Sequence, residues 1–151
     1  MYITVRRLLA NMPTRQLIID SRARVDPSSS PNDFTLHLDV ALEPSQVASL
    51  SFASIPTPAF SEPFWLLSLS GFGLETRMTR AAGSSMSTFS IPVLAANGYR
   101  TLFNEGNNYV QTARGPATTL SEIHVRLHLP SGVTAPEPTG SKEWFAVIHL
   151  E

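Results

Sequence analysis

The sequence has no cysteine among its 151 residues, which excludes disulfides, thiolate catalysis and cysteine-based zinc sites. It also has no apolar run close to the ~20 residues that a membrane-spanning helix needs. No Asn-x-Ser/Thr sequon occurs, and the start, MYITVRRLLANM, lacks the apolar core of a signal peptide because arginines interrupt it. We therefore do not expect secretion by the usual route.

Charge is scarce as well. Charged residues make up 15% of the chain against 42% hydrophobic residues, and the net charge is −1. A freely soluble monomer usually carries more surface charge, so this composition indicates that much of the surface contacts other protein. The near-neutral balance argues against wholesale nucleic-acid binding, and we predict no specific nucleic-acid partner.

The charge that is present is unevenly distributed. Residues 1–24 contain five arginines against Asp20 alone, a net charge of +4, so the remainder carries −5. Contact with nucleic acid or lipid headgroups is one interpretation of this basic start. The apolar residues between the arginines favour an arm that packs on neighbouring subunits, and TVRRLLANM has the pattern of a short amphipathic helix. We assign residues 1–15 to an N-terminal arm and residues 16–151 to one domain.

Alternating apolar and polar residues indicate β-strands. In EIHVRLHLP the pattern places Ile123, Val125, Leu127 and Leu129 inward and Glu122, His124, Arg126 and His128 outward. In FTLHLDVAL it places Phe34, Leu36, Leu38, Val40 and Leu42 on one face. Six further strands are predicted in LIID, VASLSFASIP, FWLLSLSGF, TFSIPVL, NYVQTA and EWFAVIHL. LAANGYRTLF fits either a short helix or an Asn-Gly hairpin.

These strands predict an all-β fold, because eight strands with uneven loops and no crossover helices form a sandwich or barrel. The strand count and chain length favour an eight-stranded single jelly-roll sandwich. An immunoglobulin-like sandwich is the alternative, but its Cys…Trp…Cys spacing is absent.

The sequence shows no convincing catalytic or metal-binding motif. His124 and His128 lie ~13 Å apart if they share a strand, which is too far to chelate one ion. No His-x-His or Gly-x-Ser-x-Gly motif occurs, and GSSMS from Gly83 has the composition of a turn. We predict no catalytic residue, no metal site and no cofactor, and therefore not an enzyme.

Two groups of residues are candidates for protein contacts. Phe60, Phe64 and Trp65 in a proline-rich turn form either an exposed anchor for a partner or, for the last two, the start of a buried strand. Asp20-Ser21-Arg22 ends a strand, where Asp and Ser can accept backbone N–H groups while Arg22 and Arg24 clamp carboxylates or carbonyls. We call Asp20, Ser21, Arg22 and Arg24 the strand-end lock and predict a further role for it between subunits. The candidate interface residues are Arg6, Arg7, Arg15, Asp20, Arg22, Arg24, Phe60, Phe64 and Trp65.

The stretch LIIDSRARVDPSSSPNDFTLHLDVALEPSQVASLSFASIPTPAF resembles the N-terminal pattern of small jelly-roll minor capsid (penton) proteins. Those proteins belong to icosahedral double-stranded DNA viruses with a double-jelly-roll major capsid protein: large eukaryotic viruses, virophages and Polinton-like relatives. The tail LSEIHVRLHLPSGVTAPEPTGSKEWFAVIHLE is also similar. The likeness covers residues 16–60 and 119–151, about half of the chain.

The resemblance implies a structural subunit of the virion. Five copies would ring each icosahedral vertex and contact the major capsid protein, with other minor capsid or spike proteins as further partners and membrane contact left open. The loops around residues 57–64 and 130–142 would form lateral or outer contacts. The alternative functions are a jelly-roll binding module, such as a spike base or glycan-binding domain, and a jelly-roll enzyme.

Overall fold

The computed structural model describes residues 15–57, 64–74, 76–80, 83–92, 98–103, 111–136 and 143–151. These residues contain no α-helix, one 3-10 turn (Ser21–Ala23) and eleven strands. The strands are β1 (Arg15–Asp20), β2 (Asp33–Leu42), β3 (Val47–Thr57), β4 (Phe64–Leu69), β5 (Thr76–Arg80), β6 (Gly83–Ser87), β7 (Phe89–Pro92), β8 (Gly98–Phe103), β9 (Gln111–Arg114), β10 (Leu120–His128) and β11 (Phe145–Leu150). The all-β prediction is confirmed. The helix predicted within residues 4–12 lies outside the described residues.

Two antiparallel sheets form the body of the molecule. Sheet A has the order β1-β11-β3, with β8 and β9 both paired to β3, and sheet B has the order β2-β10-β4-β7. Because β8 and β9 pair with successive parts of β3, they fill one strand position, so the two sheets have the eight positions expected of the sandwich. The remaining pair, β5 and β6, forms a separate hairpin.

The core lies between the two sheets and follows from the alternation in the strands. Ile123, Val125 and Leu127 of β10 are fully buried, as predicted, and pack in one cluster with residues of sheet A such as Ile19 and Ile148. Truncating a buried leucine of this kind to alanine typically costs about 2–5 kcal/mol.

Val40 and His128 contradict the predicted faces. Val40 is 82% exposed because the β2–β10 register shifts: four β2 residues lie between the partners of Glu122 and Leu120, which are separated by one residue. Such a bulge turns a side chain away from its expected face. His128 was predicted to face solvent but is only 5% exposed, because Thr134 pairs with it and Ser68 Oγ lies 2.8 Å from its Nε2.

Two segments have a backbone that the sequence pattern did not predict. GSSMS, interpreted as a turn, is strand β6 and pairs with β5. Residues 98–103 of LAANGYRTLF form β8, which pairs with β3 and not as part of a local hairpin. Both depend on partners that are not evident from local sequence.

Candidate interface surfaces

The strand-end lock lies where β1 ends. Asp20 caps the 3-10 turn by accepting a hydrogen bond from Arg22 N at 3.0 Å. The Arg22 guanidinium also donates to both Asp20 carboxylate oxygens, at 2.9 Å to Oδ1 and 2.6 Å to Oδ2. These hydrogen bonds from Arg22 lower the pKa of Asp20 and raise that of Arg22 itself. Because the Arg22 side chain is 74% exposed, the pair shapes the turn more than it stabilises the fold.

The second half of the lock is partly buried and joins the end of β1 to the start of β11. Ser21 is fully buried; its hydroxyl accepts from Trp144 N at 2.9 Å and donates to Glu143 Oε2 at 2.5 Å. Arg24 Nη1 donates to both carboxylate oxygens of Glu143 at 2.9 Å and to Ser21 O at 2.7 Å. The contacts predicted for Asp20, Ser21 and the two arginines are thus confirmed, and they fix the entry into β11.

Trp144 anchors this end of the sandwich to the core. Its indole Nε1 donates to Pro31 O at 2.6 Å, and its ring packs edge-on against Phe34 with centroids 5.9 Å apart. The loop between β1 and β2 is therefore held from both ends, at Ser21 and at Pro31. Glu143 and Trp144 complete the lock, and sequence reasoning did not associate them with Ser21 because they lie about 120 positions away.

The outer face of sheet A has an apolar surface that the sequence did not reveal. Ile18 of β1 pairs with Val147 of β11, which in turn pairs with Phe52 of β3. Phe52 and Phe145 stack with their ring centroids 5.0 Å apart. Ile18 is 61% exposed and Phe145 is 42% exposed. We call Ile18, Phe52, Phe145 and Val147 the apolar strip.

The outer face of sheet B has a different character. His37 of β2 lies 2.8 Å from Glu122 of β10, and His124 Nε2 lies 3.0 Å from Asp33 Oδ1. Arg126 Nε approaches the other Asp33 oxygen at 3.6 Å. Polar side chains that pair across neighbouring strands suit a hydrated face. The two faces of the sandwich therefore differ in polarity.

The described residues contain no group of three or more His, Asp or Glu side chains arranged to hold a metal ion. His128, one of the two histidines weighed as ligands, is enclosed beside Ser68, and this burial lowers its pKa. Within the same residues no helix is long and apolar enough to cross a membrane.

The other candidate interface residues divide into three groups. Arg15 is exposed at the start of β1, opposite Leu150, and Phe64 is half-buried at the start of β4. Trp65 is fully buried, so the exposed-anchor interpretation is wrong for it and the buried-strand alternative is correct. Arg6, Arg7 and Phe60 lie outside the described residues.

No protein-family model matches this chain, and no curated protein matches it.

Proposed function

We propose that this chain is a structural minor capsid protein: a jelly-roll penton subunit that forms a homopentamer at the icosahedral vertices of a double-stranded DNA virus. Its partners would be copies of itself and the surrounding major capsid protein, and its place would be the virion. The apolar strip carries this proposal, with the strand pairing, the buried lock and the low charge in support.

The strand pairing supports the jelly-roll part of the proposal. When the eight positions are numbered along the chain, β1 pairs with β11, β2 with β10, β3 with β8 and β9, and β4 with β7. Each pair is nested inside the previous one, as in a long hairpin rolled into two sheets. A jelly roll is an eight-stranded double sheet of this kind, built from two Greek keys.

The apolar strip supports an assembled state. An antiparallel sheet with one face on the core normally presents polar side chains on the other face. Here three adjacent strands place Ile18, Val147 and Phe52 side by side on that outer face, with Phe145 stacked beside them. Ile18 and Phe145 are exposed, and Phe52 and Val147 are partly exposed between them. A contiguous apolar patch of this kind marks protein contacts in soluble domains. In a cyclic ring, a strip on one subunit meets a different patch on the next.

The buried part of the lock supports a rigid role. Ser21, Arg24 and Glu143 connect the end of β1 to the start of β11 through hydrogen bonds that are partly shielded from water. If these segments were disordered before assembly, ordering them would cost free energy and weaken the contacts between subunits. A shell subunit therefore benefits from segments that are already fixed. The competing glycan-binding hypothesis needed an exposed aromatic cluster, and Trp65 of that cluster lies in the core.

The test is the self-association of the full-length chain and of two charged variants. Phe145→Glu places a carboxylate on the apolar strip, whereas Leu74→Glu places one at a leucine of similar exposure, 43% against 42%, that belongs to none of the candidate contact regions. We expect Phe145→Glu to weaken association at least about tenfold, because a charge buried at an interface costs well over 1 kcal/mol. Leu74→Glu should associate like the parent chain. Equal association of all three proteins, measured by sedimentation velocity, would contradict the proposal.

A further inference from the structure

A groove runs along the open side of the sandwich, between the edges of β1 and β2. Within the described part of the chain, β1 pairs only with β11 and β2 only with β10, so each strand has an edge without a strand partner. The groove has a volume of about 360 Å³. Its floor includes the buried Leu17 and Leu36, and its rims include the exposed Ile18 and Val40.

Among the residues that the structure describes, the β2 edge is covered at one end only. Val25 N donates to Thr35 O at 2.9 Å, so the loop between β1 and β2 covers that part of the edge. Further along, the bulge over residues 38–41 exposes Val40 to 82%, close to Ile18 at 61% exposure. Natural proteins normally cover or charge an apolar sheet edge, since it otherwise pairs with other chains. The open end of this groove is therefore suited to receive a segment of polypeptide.

The charge on the rim of the groove indicates which kind of polypeptide segment the groove would bind. Asp39 is exposed and forms no ion pair with any residue that the structure describes, whereas His37 beside it pairs with Glu122. Asp20, which also lines the groove, adds a second carboxylate that Arg22 already engages. An apolar groove whose rim has a carboxylate that no described residue pairs with fits a segment that is both apolar and basic.

The first 14 residues of the chain have this chemistry. Arg6 and Arg7 lie among Ile3, Val5 and Leu8, and no acidic residue occurs before Asp20. At ~3.3 Å per residue, Ile3 to Leu8 would extend over ~17 Å, which is the length that residues 37–42 would span in an unbroken strand. TVRRLLANM also has the pattern of a short amphipathic helix, but Ile3, Thr4 and Val5 are consecutive β-branched residues, which suit a strand added to an open edge.

We propose that the groove between β1 and β2 binds residues 1–12 of a neighbouring copy of this chain, with Arg6 or Arg7 at Asp39 and apolar side chains against Ile18 and Val40. This inference rests on the proposed function, because it names the surface of a neighbouring subunit that the N-terminal arm would contact. A neighbouring copy is favoured because β1 itself lines the groove. The chain's own arm could enter only by reversing direction between residue 12 and Arg15. A segment passed from each copy to the next repeats around a closed ring.

Cysteine cross-linking tests this contact cleanly because the chain has no native cysteine. One full-length chain has Val5→Cys, a second has Val40→Cys, and the two are mixed and oxidised with diamide. We expect disulfide-linked dimers of the two variants. Leu74→Cys is the matched control, since Leu74 is also an exposed apolar residue, at 43%, but neither lines the groove nor belongs to a candidate contact loop. It should cross-link to Val5→Cys about tenfold less, because the groove raises the local concentration of the arm only at Val40.

Exchanging charges between the rim and the arm tests whether Asp39 attracts the arginines of the arm, which is the reason for proposing the arm as the occupant of the groove. Adding Asp39→Lys to the Val40→Cys chain should reduce cross-linking, and adding R6E and R7E to the Val5→Cys chain should restore it. An equal yield from all charge combinations would overturn the assignment of the arm to this rim.

The remaining outcomes separate this inference from the proposed function. If a single chain with both V5C and V40C closes on itself as a monomer, the groove binds its own arm and the inference is wrong. If the chain forms pentamers without any V5C–V40C cross-link, the inference is wrong while the penton proposal stands. If the chain neither cross-links nor associates at any concentration, both are wrong.

Discussion

Ser21 and Trp144 bind each other through two hydrogen bonds: Ser21 N donates to Trp144 O at 3.0 Å, and Trp144 N donates to Ser21 Oγ at 2.9 Å. Both residues are buried, and they lie at the same end of the β1–β11 pair, just beyond Asp20 and Phe145. This contact explains the position of a serine between two charged residues. The Ser21 hydroxyl accepts a hydrogen bond from the buried Trp144 N–H, which would otherwise have no acceptor among the residues of the lock.

Replacing Ser21 by alanine should destabilise the fold. Ser21→Ala removes the acceptor for Trp144 N and the donor to Glu143, and leaving a buried donor unsatisfied costs about 1–3 kcal/mol. Ser131→Ala, at an exposed turn position, is the control and should stay within about 0.5 kcal/mol of the parent. Urea unfolding of the three proteins measures the difference. Identical midpoints would show that the Ser21 hydroxyl has no structural role.

The Arg24–Glu143 pair should be energetically coupled. The Arg24 side chain is 13% exposed and binds both Glu143 oxygens, whereas Arg22 is 74% exposed beside Asp20. A double-mutant cycle of Arg24→Ala and Glu143→Ala should give a coupling free energy of about 1–2 kcal/mol, reduced from that of a fully buried pair because Glu143 is partly solvated. The Arg22 and Asp20 cycle should give clearly less. The reverse ranking would assign the structural role to the exposed pair.

Much of this architecture could be predicted from local sequence, and the strand-end lock shows why. Asp and Ser side chains at a strand end commonly accept hydrogen bonds from neighbouring backbone N–H groups. The acceptor roles of Asp20 and Ser21 could therefore be predicted from their positions. The inward residues of β10 were predictable because polar residues alternate with them. The role of Glu143 could not be predicted, because its contact with Arg24 depends on β1 pairing with β11, which is distant in the sequence.

The apolar strip could not be predicted because its strands have no alternation to assign faces. Residues 17–19 (LII) and 145–148 (FAVI) are apolar at consecutive positions, so either set of side chains could face the core. The predicted inward position of Val40 was wrong for another reason. Alternation assumes an unbroken register, and the register shift opposite Leu120 and Glu122 breaks it.

Stability should depend on pH through His128. Burial lowers the His128 pKa below its ordinary value of 6.5 in the folded protein, so the unfolded chain binds the proton more readily. The contribution of neutral His128 is therefore fully present above about pH 6.5 and is lost as the pH falls through the lowered folded-state pKa. His128→Gln should remove this part of the pH dependence, measured as the unfolding midpoint between pH 5 and pH 8.

His149→Gln on β11 is the matched control for that series, since His149 is only half-buried. It should retain the loss of stability on acidification. If His128→Gln retains it as well, another group is responsible.

Deleting residues 1–12 should impair incorporation at the vertex while the β-domain stays folded. The described fold begins at Arg15, and its core includes no residue before Leu17. The truncated chain should therefore keep the parent's far-UV circular dichroism and melting temperature. Its yield in assembled particles, co-expressed with the major capsid protein, should fall. Normal incorporation would exclude a role for the arm.

Native mass spectrometry of the full-length chain over a concentration series tests the central proposal most directly. The account predicts a discrete species of five chains that grows with concentration and is weakened by Phe145→Glu on the apolar strip. A chain that stays monomeric up to the highest concentration, with Phe145→Glu indistinguishable from it, would contradict a subunit built for assembly.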